Sequence, residues 1–249
     1  MSDSARERYI EGHTRNLADR SSYLYSDHSL AAELLIEIKS CLDPGAKILE
    51  VGCGGGHAAA VLARLGFVVT ATDISPVAIE VAKKNYPHID FAVADAIDLK
   101  YQDGSFDAIV AVEFIEHLEA PERLIGEADR LLGPRGLFFI KTPNRLLHDL
   151  YYRKTANVSV WHPSVMSVKE LAGKLATAGF DSRFVKTESL PDYQINKAAA
   201  KVGPLGALAK TVLRWAPVVL LPVGLQPSLI CVARRREASA ENREAENGK

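Results

Sequence analysis

The sequence predicts a doubly wound, mostly parallel α/β sheet of seven strands, built as a single domain with a lid or insertion. Three observations carry this. An apolar run at Ile48–Val51 breaks into Gly52, Gly54, Gly55 and Gly56, and then into a helix-forming segment, Ala58–Leu65. Buried-strand patterns then alternate with helical patterns five times, as crossover units require. Successive strand patterns also end on acids, Asp73 and Asp95, at the edge where open sheets bind ligands.

The 249 residues suffice for one large α/β core. A formal net charge of −1 gives no global field for nucleic acid, so none is expected as a partner. Cys41, Cys53 and Cys231 are too dispersed for a metal motif or disulfide framework and suit a reducing cytoplasm. The polar N-terminus shows no signal region, and no apolar run reaches the ~18 residues needed to span a bilayer.

Residues 1–28 read as an N-terminal lid or flexible segment, and 29–236 as the domain. Leu30, Ala31, Leu34, Leu35 and Ile38 repeat at helical spacing after Ser29, a candidate N-cap; Asp43-Pro44-Gly45 ends that helix. The second strand pattern is Phe67–Thr72. Ser75-Pro76 supplies an N-cap and a first-turn proline for a helix over Val77–Asn85. Ile89–Ala94 and Phe106–Val112 are the third and fourth strands. Pro121 opens a helix through Leu132, closed by Gly133-Pro-Arg-Gly136, and Leu137–Thr142 is the fifth strand. Residues 145–166 read as an insertion. Ser167 and Glu170 form a capping box for a helix to Ala178; strands follow at Phe180–Leu190 and Pro227–Ala233. Residues 237–249 lack apolar content and are expected to be disordered.

A dinucleotide fingerprint would place glycine at position 57, where this chain has His57. The spacing Glu50-x-Gly52-x-Gly54-x-Gly56 instead resembles motif I of the class I S-adenosylmethionine (SAM)-dependent methyltransferases, with their Rossmann-like fold. That resemblance implies SAM as cofactor. It implies that Glu50 orders the glycine loop and the methionine end, with Gly52, Cys53, Gly54 and Gly56 packed against it. Asp73 stands where an acid accepts from ribose hydroxyls, with Ile74 beside it. Asp95 is placed to accept from an adenine amine while the Ala96 backbone reads a ring nitrogen. Either acid is equally suited to capping a helix.

After the fourth strand, Glu113, Glu116 and His117 stand at i, i+3 and i+4, so one helical turn would put them on one face. Glu113 is also expected on the cofactor side. Two carboxylates and an imidazole suit Mg2+ or another divalent cation. The same residues suit acid–base work by His117 and Glu116 on an acceptor hydroxyl. Glu-x-x-Glu-His, followed by Thr142-x-Asn144-Arg145, resembles the ubiquinone-biosynthesis O-methyltransferases, where such a cluster is associated with a metal. Metal-free relatives carry a similar Glu-His-Leu. Asn144, His148 and His162 are weaker candidates for the base.

Tyr193–Arg236 carries Lys197, Lys201, Lys210, Arg214 and Arg234–Arg236 with no acid, interleaved with Trp215 and aliphatic residues. This suits either a lid over the substrate side, centred on 193–226, or an element lying on an anionic membrane at its inner face. The expected activity is O-methylation of a small-molecule, sugar or lipid-linked hydroxyl, or of a quinone-type phenol. A non-catalytic SAM-binding subunit and an NAD-dependent dehydrogenase are the rival classes.

Overall fold

The computed structural model describes residues 30–152, 162–187 and 221–236. The expectations for 1–28, Ser29, most of 193–226 and the tail 237–249 lie outside these residues.

The helix α1 (Ala32–Cys41) leads into strand β1 (Lys47–Val51). The glycine loop connects β1 to α2 (His57–Arg64), and β2 (Val68–Asp73) follows. Next comes α3 (Pro76–Asn85), whose N-cap Ser75 accepts from the Ala78 amide, as its Ser-Pro start predicts. Strands β3 (Asp90–Val93) and β4 (Phe106–Val112) precede a short 3-10 turn at Ile115–His117. Then come α4 (Pro121–Leu131), β5 (Leu132–Pro143), α5 (Arg145–Tyr152), α6 (Val168–Thr177), β6 (Phe180–Val185) and β7 (Ser228–Arg235).

These strands form one seven-stranded sheet in the order β3-β2-β1-β4-β5-β7-β6. The first five pair in parallel, and β7 enters antiparallel between β5 and β6. Apolar residues cover both faces. Leu34, Ile38, Leu62, Ile79 and Ala82 pack α1, α2 and α3 onto one face. Leu124, Ile125, Leu171 and Leu175 pack α4 and α6 onto the other. Continuous apolar strands are the signature of sheets buried on both sides.

Two elements depart from expectation. The segment Gly133–Gly136 is no closing turn; β5 begins at Leu132 and carries these residues as a bulge. Phe106 pairs with Leu132 and Ala108 with Leu137, so the intervening residues loop out, with Arg135 at φ +62°. A bulge absorbs extra residues without ending the strand. Strand β6 is also shorter than the Phe180–Leu190 run, ending at Val185.

The capping box of α6 is complete. Ser167 accepts from the Glu170 amide, and the Glu170 carboxylate accepts from the Ser167 amide at 2.9 Å. Arg145 pairs with the same Glu170 and donates to the Val165 carbonyl at 2.7 Å, fixing the returning segment 162–166. Replacing Ser167 by Ala removes the cap oxygen and is expected to cost about 1 kcal/mol. Urea unfolding checks this: the midpoint should fall while the slope stays constant.

Candidate functional site

The glycine loop takes its shape from two close approaches. Gly52 has φ +71°, and a Cβ there would lie 2.1 Å from the Phe114 ring. Gly56 has φ +82°, and a Cβ there would meet the Phe91 ring at 2.6 Å. No other residue type satisfies both the left-handed backbone and the missing space. The loop is anchored by Asp73 at the end of β2. One carboxylate oxygen accepts from the Gly54 amide and the other from the Ser75 amide, both at 2.9 Å.

A pocket opens at this carboxyl edge of the sheet. Gly52, Thr72, Asp73 and Ile74 line one side. Ala94, Asp95 and Ala96 follow β3, and Phe114, His117 and Leu118 follow β4. Six residues expected at the site, namely Gly52, Asp73, Ile74, Asp95, Ala96 and His117, thus share one wall. Asp95 also accepts from the Ile97 amide at 3.2 Å, which stiffens its turn. Phe114 and Leu118 were missed by the sequence reading. Their signal, two apolar residues interleaved with Glu-x-x-Glu-His, resembles ordinary core.

Glu50, Cys53, Gly54 and Gly56 are not part of that lining. Glu50 lies beneath the loop at 3% exposure, and its Oε2 has no hydrogen-bond partner among the described residues. Burial pushes its carboxyl up to about 8, opposed by the Ala59 amide and reinforced by Asp73. Burial likewise raises the Cys53 thiol, with Glu50 and Asp73 adding to the effect. A buried acid without a cation costs free energy. This orphaned oxygen fits a cationic cofactor nearby, such as one carrying a sulfonium and an ammonium.

The structure separates Glu113 from its expected companions. Glu113 precedes the 3-10 turn at φ +49°, and its carboxylate pairs with the Lys141 ammonium. It therefore shares no helical face with Glu116 and His117, because only three residues form the turn. Glu116 is 1% exposed, stands behind the pocket wall and accepts from the Thr142 hydroxyl at 2.9 Å. Burial and then the Glu113 charge push its carboxyl well above the usual range. His117 meets His162 edge to face at 4.7 Å, and His162 in turn lies 3.0 Å from His148. Burial, then His117 and His148, lower His162 to about 3.

Among the described residues, the donors that converge within 4.8 Å are Glu116, His117 and His162, without Glu113. The expected divalent set Glu113, Glu116 and His117 therefore does not fit. Asn144 is no base either. Its amide donates to the Gly224 and Gln226 carbonyls at 2.9 and 2.8 Å, stapling β5 to the segment before β7. Lys141 went unremarked in the sequence reading, although it is the one charged residue ending the apolar run Leu137–Ile140.

Glycine loop, strand-end acids and the inserted antiparallel β7 together define the fold of a class I SAM-dependent methyltransferase. Residues 49–140 match the family described as "Methyltransferase domain". Among curated proteins, the chain is 40% identical over 124 residues to a ubiquinone biosynthesis O-methyltransferase of Xanthomonas oryzae pv. oryzae. That match covers 47% of this chain and 52% of the relative, so the chain spans about half the length of the curated relatives it matches. Solved structures agree in fold. A SAM-dependent methyltransferase from Methanosarcina mazei superposes with a TM-score of 0.57 at 19% identity, covering 81% of this chain and 98% of that one. The [4+2]-cyclase SpnF superposes at 0.59 with 24% identity, covering 82% and 80%. A cyclase on this fold shows that architecture alone does not name the reaction. The described residues contain no helix long and apolar enough to cross a membrane.

The Glu50 carboxyl gives a pH prediction. Its folded-state value, about 8, exceeds the ordinary 4.5, so the folded chain keeps a proton that the unfolded chain releases. Its contribution is thus most favourable below the ordinary value and is lost as pH rises to about 8. Glu50→Gln should leave the ligand-free protein more stable than wild type above that window, by ~1–3 kcal/mol. Thermal melts on both sides of the window check it, and a constant difference across pH would contradict it.

Proposed function

We propose that this chain is a SAM-dependent methyltransferase acting on a hydroxyl of a small-molecule, sugar or lipid-linked acceptor. The observation that carries this reading is the position of His117. It lines the same pocket as Asp73 and Asp95, so an imidazole stands beside the two strand-end acids.

When bound, SAM supplies a methyl group already activated on a sulfonium cation. The chain must then orient, neutralise and shield. Asp73 would accept from the ribose hydroxyls through lone pairs left after its two amide bonds. Asp95 and the Ala96 backbone would hold the adenine edge. Glu50 would offer its unsatisfied oxygen to the cationic methionine end, whose positive charge would favour the ionised carboxylate. Phe114 and Leu118 exclude water from the pocket, which strengthens every polar contact inside it. His117 takes the proton from the acceptor hydroxyl, a role suited to an imidazole near neutral pH. Glu116 and Thr142 are positioning residues that fix the turn carrying His117.

The likeness to ubiquinone biosynthesis O-methyltransferases supports a phenolic hydroxyl as the alternative acceptor. The basic, aliphatic composition of Tyr193–Arg236 supports a lipid-linked one at an anionic membrane.

Two substitutions separate binding from chemistry. Asp73→Ala should weaken SAM binding by ~1.5–3 kcal/mol in calorimetry. His117→Ala should leave that affinity intact and lower turnover ~10²–10⁴-fold with a phenolic acceptor and labelled SAM. Full turnover in the His117 variant would remove the base from the mechanism.

A further inference from the structure

Lys141 is a cation inside the sheet. Its residue is 4% exposed, and its ammonium pairs with the Glu113 carboxylate. The same two residues are joined through the main chain, the Glu113 amide donating to the Lys141 carbonyl at 2.8 Å. Glu113 adopts φ +49°, a left-handed conformation that a residue with a side chain keeps only when its surroundings impose it. Strand β5 imposes it twice, once through the backbone and once through the ammonium. Glu116, three residues on, feels the charges of both Glu113 and Lys141.

A buried Glu116 carboxyl within the influence of the half-exposed Glu113 charge calls for a nearby cation. A divalent ion meets that need in one way and a buried ammonium in another. Here the ammonium already occupies the Glu113 oxygen. Among the described residues the remaining donors, Glu116, His117 and His162, converge within 4.8 Å, but without Glu113 they offer a divalent ion a single carboxylate.

We propose that Lys141 is the resident counter-cation of Glu113 and stands in for a divalent ion, so that this site does not load a metal. The ammonium is covalently part of the chain, so its charge is supplied whenever the protein folds. This goes beyond the methyl-transfer reading and does not depend on it, because metal binding is measured without acceptor or SAM.

The experiment is a Mn2+ titration of the full chain, with free Mn2+ read by electron paramagnetic resonance. Wild type should bind no stoichiometric Mn2+ below about millimolar concentration. Lys141→Met keeps the length of the side chain and removes its charge. It should gain one Mn2+ per chain with affinity ~10–100-fold above wild type, and Glu113→Gln added to it should abolish the gain. Lys141→Arg, which restores the charge, should behave as wild type. Tight one-to-one Mn2+ binding by wild type would overturn the proposal. So would a folded Lys141→Met chain that binds Mn2+ no better than wild type. Should Lys141→Met fail to fold without metal, recovery of its circular dichroism melt on adding Mn2+ supports the proposal. Failure to recover leaves the wild-type and Lys141→Arg titrations to decide, with binding by either counting against it.

Discussion

One carboxylate organises the site. Asp73 receives the Gly54 amide on one oxygen and the Ser75 amide on the other, so it joins the glycine loop to the start of α3. The loop can follow that path only because Gly52 yields to the Phe114 ring and Gly56 to the Phe91 ring. Phe114 belongs to the turn that also carries Glu116 and His117. The cofactor loop and the proposed catalytic turn are therefore packed directly on each other. A charge at one strand end and a ring after another strand fix both at once, with little freedom for either to shift alone.

Much of this fold was legible in the sequence, for definable reasons. Strands β1, β2 and β4 are short apolar runs bounded by glycine or acid, and α3 and α6 announce themselves through Ser75-Pro76 and the Ser167–Glu170 box. The bulge at 133–136 was not legible. Gly-Pro-x-Gly carries the same local signal whether it ends a helix or loops out of a strand, and only pairing with β4 decides which. Strand order, too, arises from long-range packing, so the placement of β7 between β5 and β6 could not be read from local pattern.

At the site, Asp73, Asp95 and Ala96, whose positions follow from strand ends, line one pocket. Helical spacing misled for Glu113, because the chain forms one 3-10 turn starting two residues later. A side-chain charge from β5, distant in sequence, captured that carboxylate instead. His162 reaches His117 through a similar long-range link: the Ser164 amide donates to the Glu116 carbonyl at 3.1 Å, and Arg145 holds Val165. Spacing within a segment says nothing about such returns.

The antiparallel β7 has a consequence for how the molecule assembles. Among the described residues, strand β6 has its only ladder partner in β7, and β5 uses β7 on the side away from β4. During synthesis, β5 and β6 emerge well before Ser228–Arg235. Until that strand arrives, β5 presents an unpaired edge beside its apolar run Leu137–Ile140, and β6 lacks its β7 partner, so both are open to pairing with an extended chain. The parallel half from β3 to β5 can condense earlier around its own helices. The late strand thus sets both the contact order of the sheet and the interval in which the nascent chain is most exposed to aggregation.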